Sequence, residues 1–271
     1  FEYGADRYGM QVDHLLVEDD FNPEVGFLRR DNFRRTFVEG RFGPRPRSID
    51  SVRQFRFIGS VDYILTADTN LLETRLNQFA FQTEFENSDR FGVTLRDNYE
   101  LLLEPFSPSG ADFAIPVGGY AFNDIEVAYS FGQQRRVNAG VTLTRGGYFG
   151  GDITTLAVGQ GRIAVLPQMS IEPSMALNWI DTPQGTLQNI LGVTRINYAF
   201  TPRMFFSGLV QYNSANDTLT SNMRFRWEYS PGSEIFVVYS EDRDTDPLRP
   251  QRFSELRNRG FVIKFNRLFR F

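Results

Sequence analysis

The chain has 271 residues, and its 29 Lys plus Arg against 33 Asp plus Glu leave a formal charge of -4, which excludes a general nucleic-acid binder with its usual basic surplus. It contains no cysteine, so disulfide staples and thiolate metal sites are excluded while the compartment stays open. Its 27 Phe and 11 Tyr stand beside a mean hydropathy of -0.34, a pairing that suits strands with one apolar and one polar face.

No apolar run approaches the roughly 18 residues of a helical membrane span. The opening FEYGADRYGM lacks the basic-then-apolar layout of a signal peptide and reads like the inside of a β-region. Residues 1–271 are therefore expected to be one domain, a mature or truncated piece of something longer. Period-two patterning predicts about fourteen strands, near 7–17, 32–42, 52–65, 72–86, 90–101, 119–131, 134–145, 153–165, 168–180, 186–200, 203–213, 218–229, 234–241 and 260–271. In 55–65, Phe55, Phe57, Val61 and Tyr63 oppose Arg56, Ser60 and Asp62. In 121–131, Ile125, Val127, Tyr129 and Phe131 oppose Asp124, Glu126 and Ser130, and in 136–143 Val137, Ala139, Val141 and Leu143 oppose Arg136, Asn138 and Thr142. Further on, Met169, Ile171, Pro173, Met175, Leu177 and Trp179 oppose Ser170, Glu172, Ser174, Ala176 and Asn178. In 219–229, Met223, Phe225, Trp227 and Tyr229 oppose Asn222, Arg224, Arg226 and Glu228. The strands near 7, 72 and 153 alternate poorly.

Predicted strands of roughly nine to fourteen residues exceed the usual globular length and match a tilted crossing of a bilayer. On the side where the last strand ends, the connections are mostly tight: ENSDR, FGQQR, VLPQM, FTPRM and YSPGSE, with GPRPRSIDSV somewhat longer. The opposite side carries EDDFNPEVGFLRRDN, LLLEPFSPSGADFAIPVGG and EDRDTDPLRPQRFSELRNR beside the shorter LTADTN, RGGYFGGD, DTPQG and NSANDT. Short turns on one side and long loops on the other are the pattern of outer-membrane barrels. Aromatics gather at both ends of the apolar faces. Phe85, Phe91, Tyr129, Phe131, Tyr198, Phe200, Phe206, Trp227 and Tyr229 lie toward the short-turn side, and Tyr63, Tyr99, Trp179, Tyr212 and Tyr239 toward the other, as paired headgroup belts would place them. In the final strand, Phe261, Ile263, Phe265, Phe269 and Phe271 share one parity with Arg267, close enough to the end for its side chain to snorkel to the headgroups.

The ending FVIKFNRLFRF resembles the C-terminal recognition strand of bacterial outer-membrane proteins, with Lys264, Asn266, Phe269 and Phe271 in that pattern and Asn where Gly is usual. The stretches FNPEVGFLRRDNFRR, FENSDRFGV, TPRMFFSGLVQYNS, RWEYSPGSEIFVVYSEDRDT and LRNRGFVIKFNRLFRF resemble the C-terminal barrel region of a bacterial outer-membrane family of unknown function. Longer members of that family place a carbohydrate-binding family-nine-like sandwich before the barrel. The resemblance implies outer-membrane localisation, lipid and the barrel-assembly machinery as partners, and a glycan-related setting. It carries no site residue into this chain.

His14 is the only histidine, which argues against a histidine-based triad or a multi-histidine metal site. Asp242, Asp244 and Asp246 have a spacing that could offer oxygens to calcium, without the Gly and closing Glu of a calcium loop. Asp124, Glu126, Glu172 and Glu228 share the polar parity with Arg56, Arg96, Arg136, Arg195, Arg224 and Arg226, and mutual neutralisation in a wet interior is the reading favoured over acid–base catalysis. The glycines of GQGR and GGYFGG read as turn and bulge residues rather than a phosphate cradle. FNPEVGFLRR is either a plug or an ordinary external loop. The expected fold is an all-β, antiparallel transmembrane barrel with more strands in the intact protein, serving glycan-related uptake, a channel or surface display. An outer-membrane hydrolase with acidic loops and a soluble sugar-binding sandwich are the alternatives, and no catalytic, cofactor-binding or metal residue is assigned.

Overall fold

A computed structural model of the chain describes residues 1–27, 30–246, 248 and 255–269. They form one antiparallel sheet of 15 strands in which each strand pairs with its sequence neighbours. The strands are β1 (Glu2–Gly4), β2 (Tyr8–Val17), β3 (Phe33–Phe42), β4 (Val52–Thr66), β5 (Leu72–Phe85), β6 (Arg90–Leu102), β7 (Gly118–Ser130) and β8 (Val137–Tyr148). They continue as β9 (Gly151–Leu166), β10 (Met169–Thr182), β11 (Gly185–Thr201), β12 (Met204–Asn213), β13 (Thr218–Ser230), β14 (Ser233–Asp244) and β15 (Glu255–Asn266). Most fall within a few residues of the sequence expectation, with β1 in addition.

Register places the two parities on two faces. Across β5, β6, β7 and β8, Phe79 pairs with Leu95, Leu95 with Ile125, and Val127 with Leu143. Across β12 to β15, Phe206, Phe225, Val237 and Ile263 lie in one row. Among the described residues this apolar face has no cover: Leu95 is 48 % exposed, Met175 41 % and Ile263 62 %. Among the described residues the buried apolar ones are Val52, Ala80, Ile115 and Ile180. A water-soluble domain of this size buries far more, because burial of apolar surface is its main source of stability.

The apolar band has a polar upper margin on the long-loop side. Arg75 of β5 and Asp97 of β6 pair at 3.1 Å on the apolar face, with Asn77 donating to Asp97 at 3.0 Å. Tyr63 and Tyr99 both lie directly opposite Arg75. On β14 and β15, Glu241 and Arg259 pair at 3.1 Å. The sequence reading placed aromatics at this level; the structure adds ion pairs among them.

Two expectations need correction. RGGYFGGD is not a loop: β8 and β9 run on until only Phe149 and Gly150 turn the chain, both at positive φ (46° and 86°). The two-residue hairpin favours such a turn because its twist matches the strands. The last strand also stops early, at Asn266, because its partner β14 begins at Ser233 and offers nothing further to pair with. The Leu268 N–H instead donates to Ser233 Oγ at 3.0 Å, and the Arg267 guanidinium sits 4.9 Å over the Phe269 ring. Phe271 lies outside the described residues. β15 pairs only with β14, and β2 pairs with β3 and with the three residues of β1, so the sheet shows two largely free edges among the described residues.

On the short-turn side one carboxylate ties two turns together. Asp89 accepts from Gly132 N–H at 2.7 Å, Tyr129 Oη at 2.8 Å and Arg135 Nη2 at 2.8 Å, joining turn 86–89 to turn 131–136. The Gly132 N–H first, then the Tyr129 hydroxyl and the Arg135 charge, hold the Asp89 carboxyl below the usual aspartate range. A depressed pKa contributes stability that is complete above the unfolded value, near 3.9, and is lost as pH falls through the folded one. The midpoint of urea unfolding should therefore fall between about pH 4 and pH 2 more steeply in the native sequence than in Asp89→Asn; equal slopes would remove Asp89 from the acid response.

Candidate functional site

The polar face carries two walls and a cover. One wall, on β3 to β7, carries several close ion pairs. Arg35 holds Asp62 at 2.6 Å, and Arg96 bridges Asp124 at 2.8 Å and Glu126 at 2.7 Å. Arg53 pairs with Glu84 at 3.0 Å, and Arg56 lies 3.8 Å from the same carboxylate. Asp124 and Glu126 are thus both committed to one guanidinium, which leaves neither placed as a free base.

The second wall, on β8 to β13, is differently built. Glu172 and Arg195 lie opposite each other but 3.8 Å apart, and Glu172 accepts from Asn197 at 3.2 Å. Arg226 pairs with Glu234 at 2.6 Å rather than with Glu228, which accepts from Gly232 N–H at 3.0 Å. Among the described residues, the guanidinium groups of Arg136, Arg162 and Arg224 make no ion pair, and all three side chains are exposed. Arg162 was missed by the sequence reading because β9 carries an extra residue there. Gly140 pairs with Gly159 but Asn138 with Arg162, so the parity of β9 flips midway and alternation fails. The GQGR glycines flank that irregularity, which was the available signal.

The cover is the connection between β6 and β7, residues 103–117. Phe106 and Ile115 form an isolated antiparallel bridge, with N–H···O distances of 3.0 and 2.8 Å, and Ile115 is fully buried. From there the loop reaches the far wall. Asn189 Nδ2 of β11 donates to Ser109 O at 2.7 Å, across 80 residues of sequence. Gly110, at φ 82°, lies so close to Ala215 that a Cβ would come within 2.8 Å of its Cα, so both conformation and space require glycine there. Between β7 and β11 lie four strand spacings, roughly 19 Å along a sheet with strands about 4.8 Å apart. The connection thus lies across the polar face from β7 to β11.

An aromatic cluster anchors the near end of the cover. Phe149 contacts Phe106 of the loop at 5.7 Å, Tyr120 and Phe122 of β7 at 5.4 Å each, and Tyr148 at 4.8 Å. A bulky residue at φ 46° is strained, and it is held here by rings on several sides. FNPEVGFLRR takes no comparable position: Phe21, Val25 and Phe27 are exposed, and Leu28 and Arg29 lie outside the described residues.

The remaining candidates are placed as follows. His14 lies on the apolar face of β2, its Nδ1 3.0 Å from Thr36 Oγ1 across the ladder. Asp242 and Asp244 lie in β14, and Asp244 accepts from Arg257 at 2.9 Å and from the Asp246 N–H at 2.9 Å, which engages the oxygens a calcium ion would need. Among the described residues no three His, Asp or Glu side chains group to hold a metal. No protein-family model, no curated protein and no solved structure matches the chain.

Proposed function

We propose that this chain is an integral outer-membrane β-barrel whose polar face encloses a solute passage, covered at its outer mouth by residues 103–117. The observation that carries the reading is the single sheet with its apolar face uncovered and its charged face crossed by residues 103–117. Hydrocarbon is the solvent in which such a face costs nothing, and in water it would be an aggregation surface. Strands of 10 to 17 residues from β2 to β15 suit a tilted crossing. Closure joins the free edges of β15 and β2, through further strands where the intact protein supplies them. The likeness of the sequence to the barrel region of an outer-membrane family supports the location and a glycan-related setting.

The test is folding in two solvents. Refolded with detergent or lipid vesicles, the protein should migrate faster on cold SDS gels than after boiling; without amphiphile it should precipitate. A monodisperse protein in plain buffer would overturn the proposal.

A further inference from the structure

We infer that the β8–β13 wall is a binding site for an oxyanion, a phosphate or a carboxylate borne by a small solute; this rests on the polar face being the interior of the proposed passage. The close ion pairs on that face lie mostly on the first wall, where Arg90 is nonetheless without a carboxylate among the described residues and Arg56 lies 3.8 Å from its own. On β3–β7 the arginines Arg35, Arg53 and Arg96 face carboxylates at hydrogen-bond distance. On the second wall Arg162 and Arg224, with Arg136 in the turn that leads into β8, have no anionic partner among the described residues, and Arg195 has one at 3.8 Å, as Arg56 does on the first wall. On β8–β13 the acids of that face are Glu172 and Glu228; of those on the neighbouring β14, Glu234 is taken by Arg226 and Asp244 by Arg257.

The geometry supplies a seat as well as a charge. A cavity of about 390 Å³ opens on this wall, lined by Arg162, Arg195, Glu172, Asn138, Gln133 and Ser174. The extra residue of β9 turns Arg162 onto the polar face, opposite Asn138. Asn138 is fixed by the Arg162 N–H, which donates to its Oδ1 at 3.1 Å. Two guanidinium groups from different strands, with amide donors between them, suit the several acceptor oxygens of one oxyanion. Glu172, held by Asn197, places a neighbouring acceptor for hydroxyl groups, so a phosphorylated or acidic sugar fits the donor set better than a bare halide.

The experiment is calorimetric titration of the detergent-refolded full chain with inorganic phosphate, with glucuronate, and with glucose as the uncharged comparison. Saturable binding of phosphate, glucuronate or both, with none of glucose, is expected, and the two titrations tell which anion is preferred. In Arg162→Gln/Arg195→Gln that binding should weaken roughly tenfold or more, while Arg56→Gln on the opposite wall leaves it unchanged. Absence of binding in the native chain, or equal binding in the double variant, overturns the inference. A heat-modifiable species that fails to bind refutes the oxyanion site alone, whereas a chain that does not fold with detergent refutes the barrel beneath it.

Discussion

Replacing residues 107–114 with Gly-Gly should raise single-channel conductance in planar bilayers several-fold, or produce discrete steps where the native protein is silent. The design follows from the loop itself. Phe106 and Ile115 already form a bridge, so a two-residue link between them completes a hairpin without disturbing β6, β7 or the Phe149 contacts. What it removes is the span: the Ser109 carbonyl that Asn189 holds at 2.7 Å, the Gly110 approach to Ala215, and the Phe113 ring packed against Gly185. Asn189→Ala, which loosens one anchor and leaves the loop in place, should give a smaller rise with more frequent transitions. Cold and boiled SDS mobilities equal to the native pattern would certify that both variants fold. If both conduct like the native protein, the 103–117 segment lies over the mouth without restricting it.

The strands and their faces were legible because a half-buried strand writes its environment at every second position. Thr220 to Tyr229 show this: register later put Arg224 and Arg226 on the face of Ser240 and Lys264, and Phe225 on that of Val237 and Ile263. Legibility failed where one residue was inserted. The shift between Asn138 and Gly140 against β9 reverses the parity of everything beyond it, so Arg162 appeared on neither face with conviction. It failed again at the cover, because Phe106, Pro108, Phe113 and Ile115 show no period, and their partners Phe149, Asn189 and Ala215 lie on strands and turns remote in sequence. Pairing of charges was half legible. Parity put Arg96, Asp124 and Glu126 together, but it also suggested that Arg136 and Arg224 would be neutralised, and the structure leaves them without carboxylates among the described residues. Neighbouring strands fix which face a charge lies on, whereas ion pairing also depends on staggered register, which sequence does not display.

Met175→Arg should destabilise the vesicle-folded protein by about 2–4 kcal/mol, the cost of a cation on the lipid face near the bilayer midplane. Met175 lies on the apolar face of β10 between Val158 and Gly192, with Ile171 toward one margin and Trp179 toward the other. Ala176→Arg, one residue along and on the opposite face, should cost less than about 1 kcal/mol, since its guanidinium would enter the wet interior. Urea titration of both variants refolded into vesicles measures the difference. The contrast separates lipid from every other explanation of this face. Met175 is 41 % exposed and touches no second layer, so in water an arginine there would be neutral or would improve solubility. Only a surrounding hydrocarbon turns an exposed position into one that rejects charge. Equal midpoints for Met175→Arg, Ala176→Arg and the native chain would therefore mean that the uncovered face meets water, and the membrane proposal would fall with it.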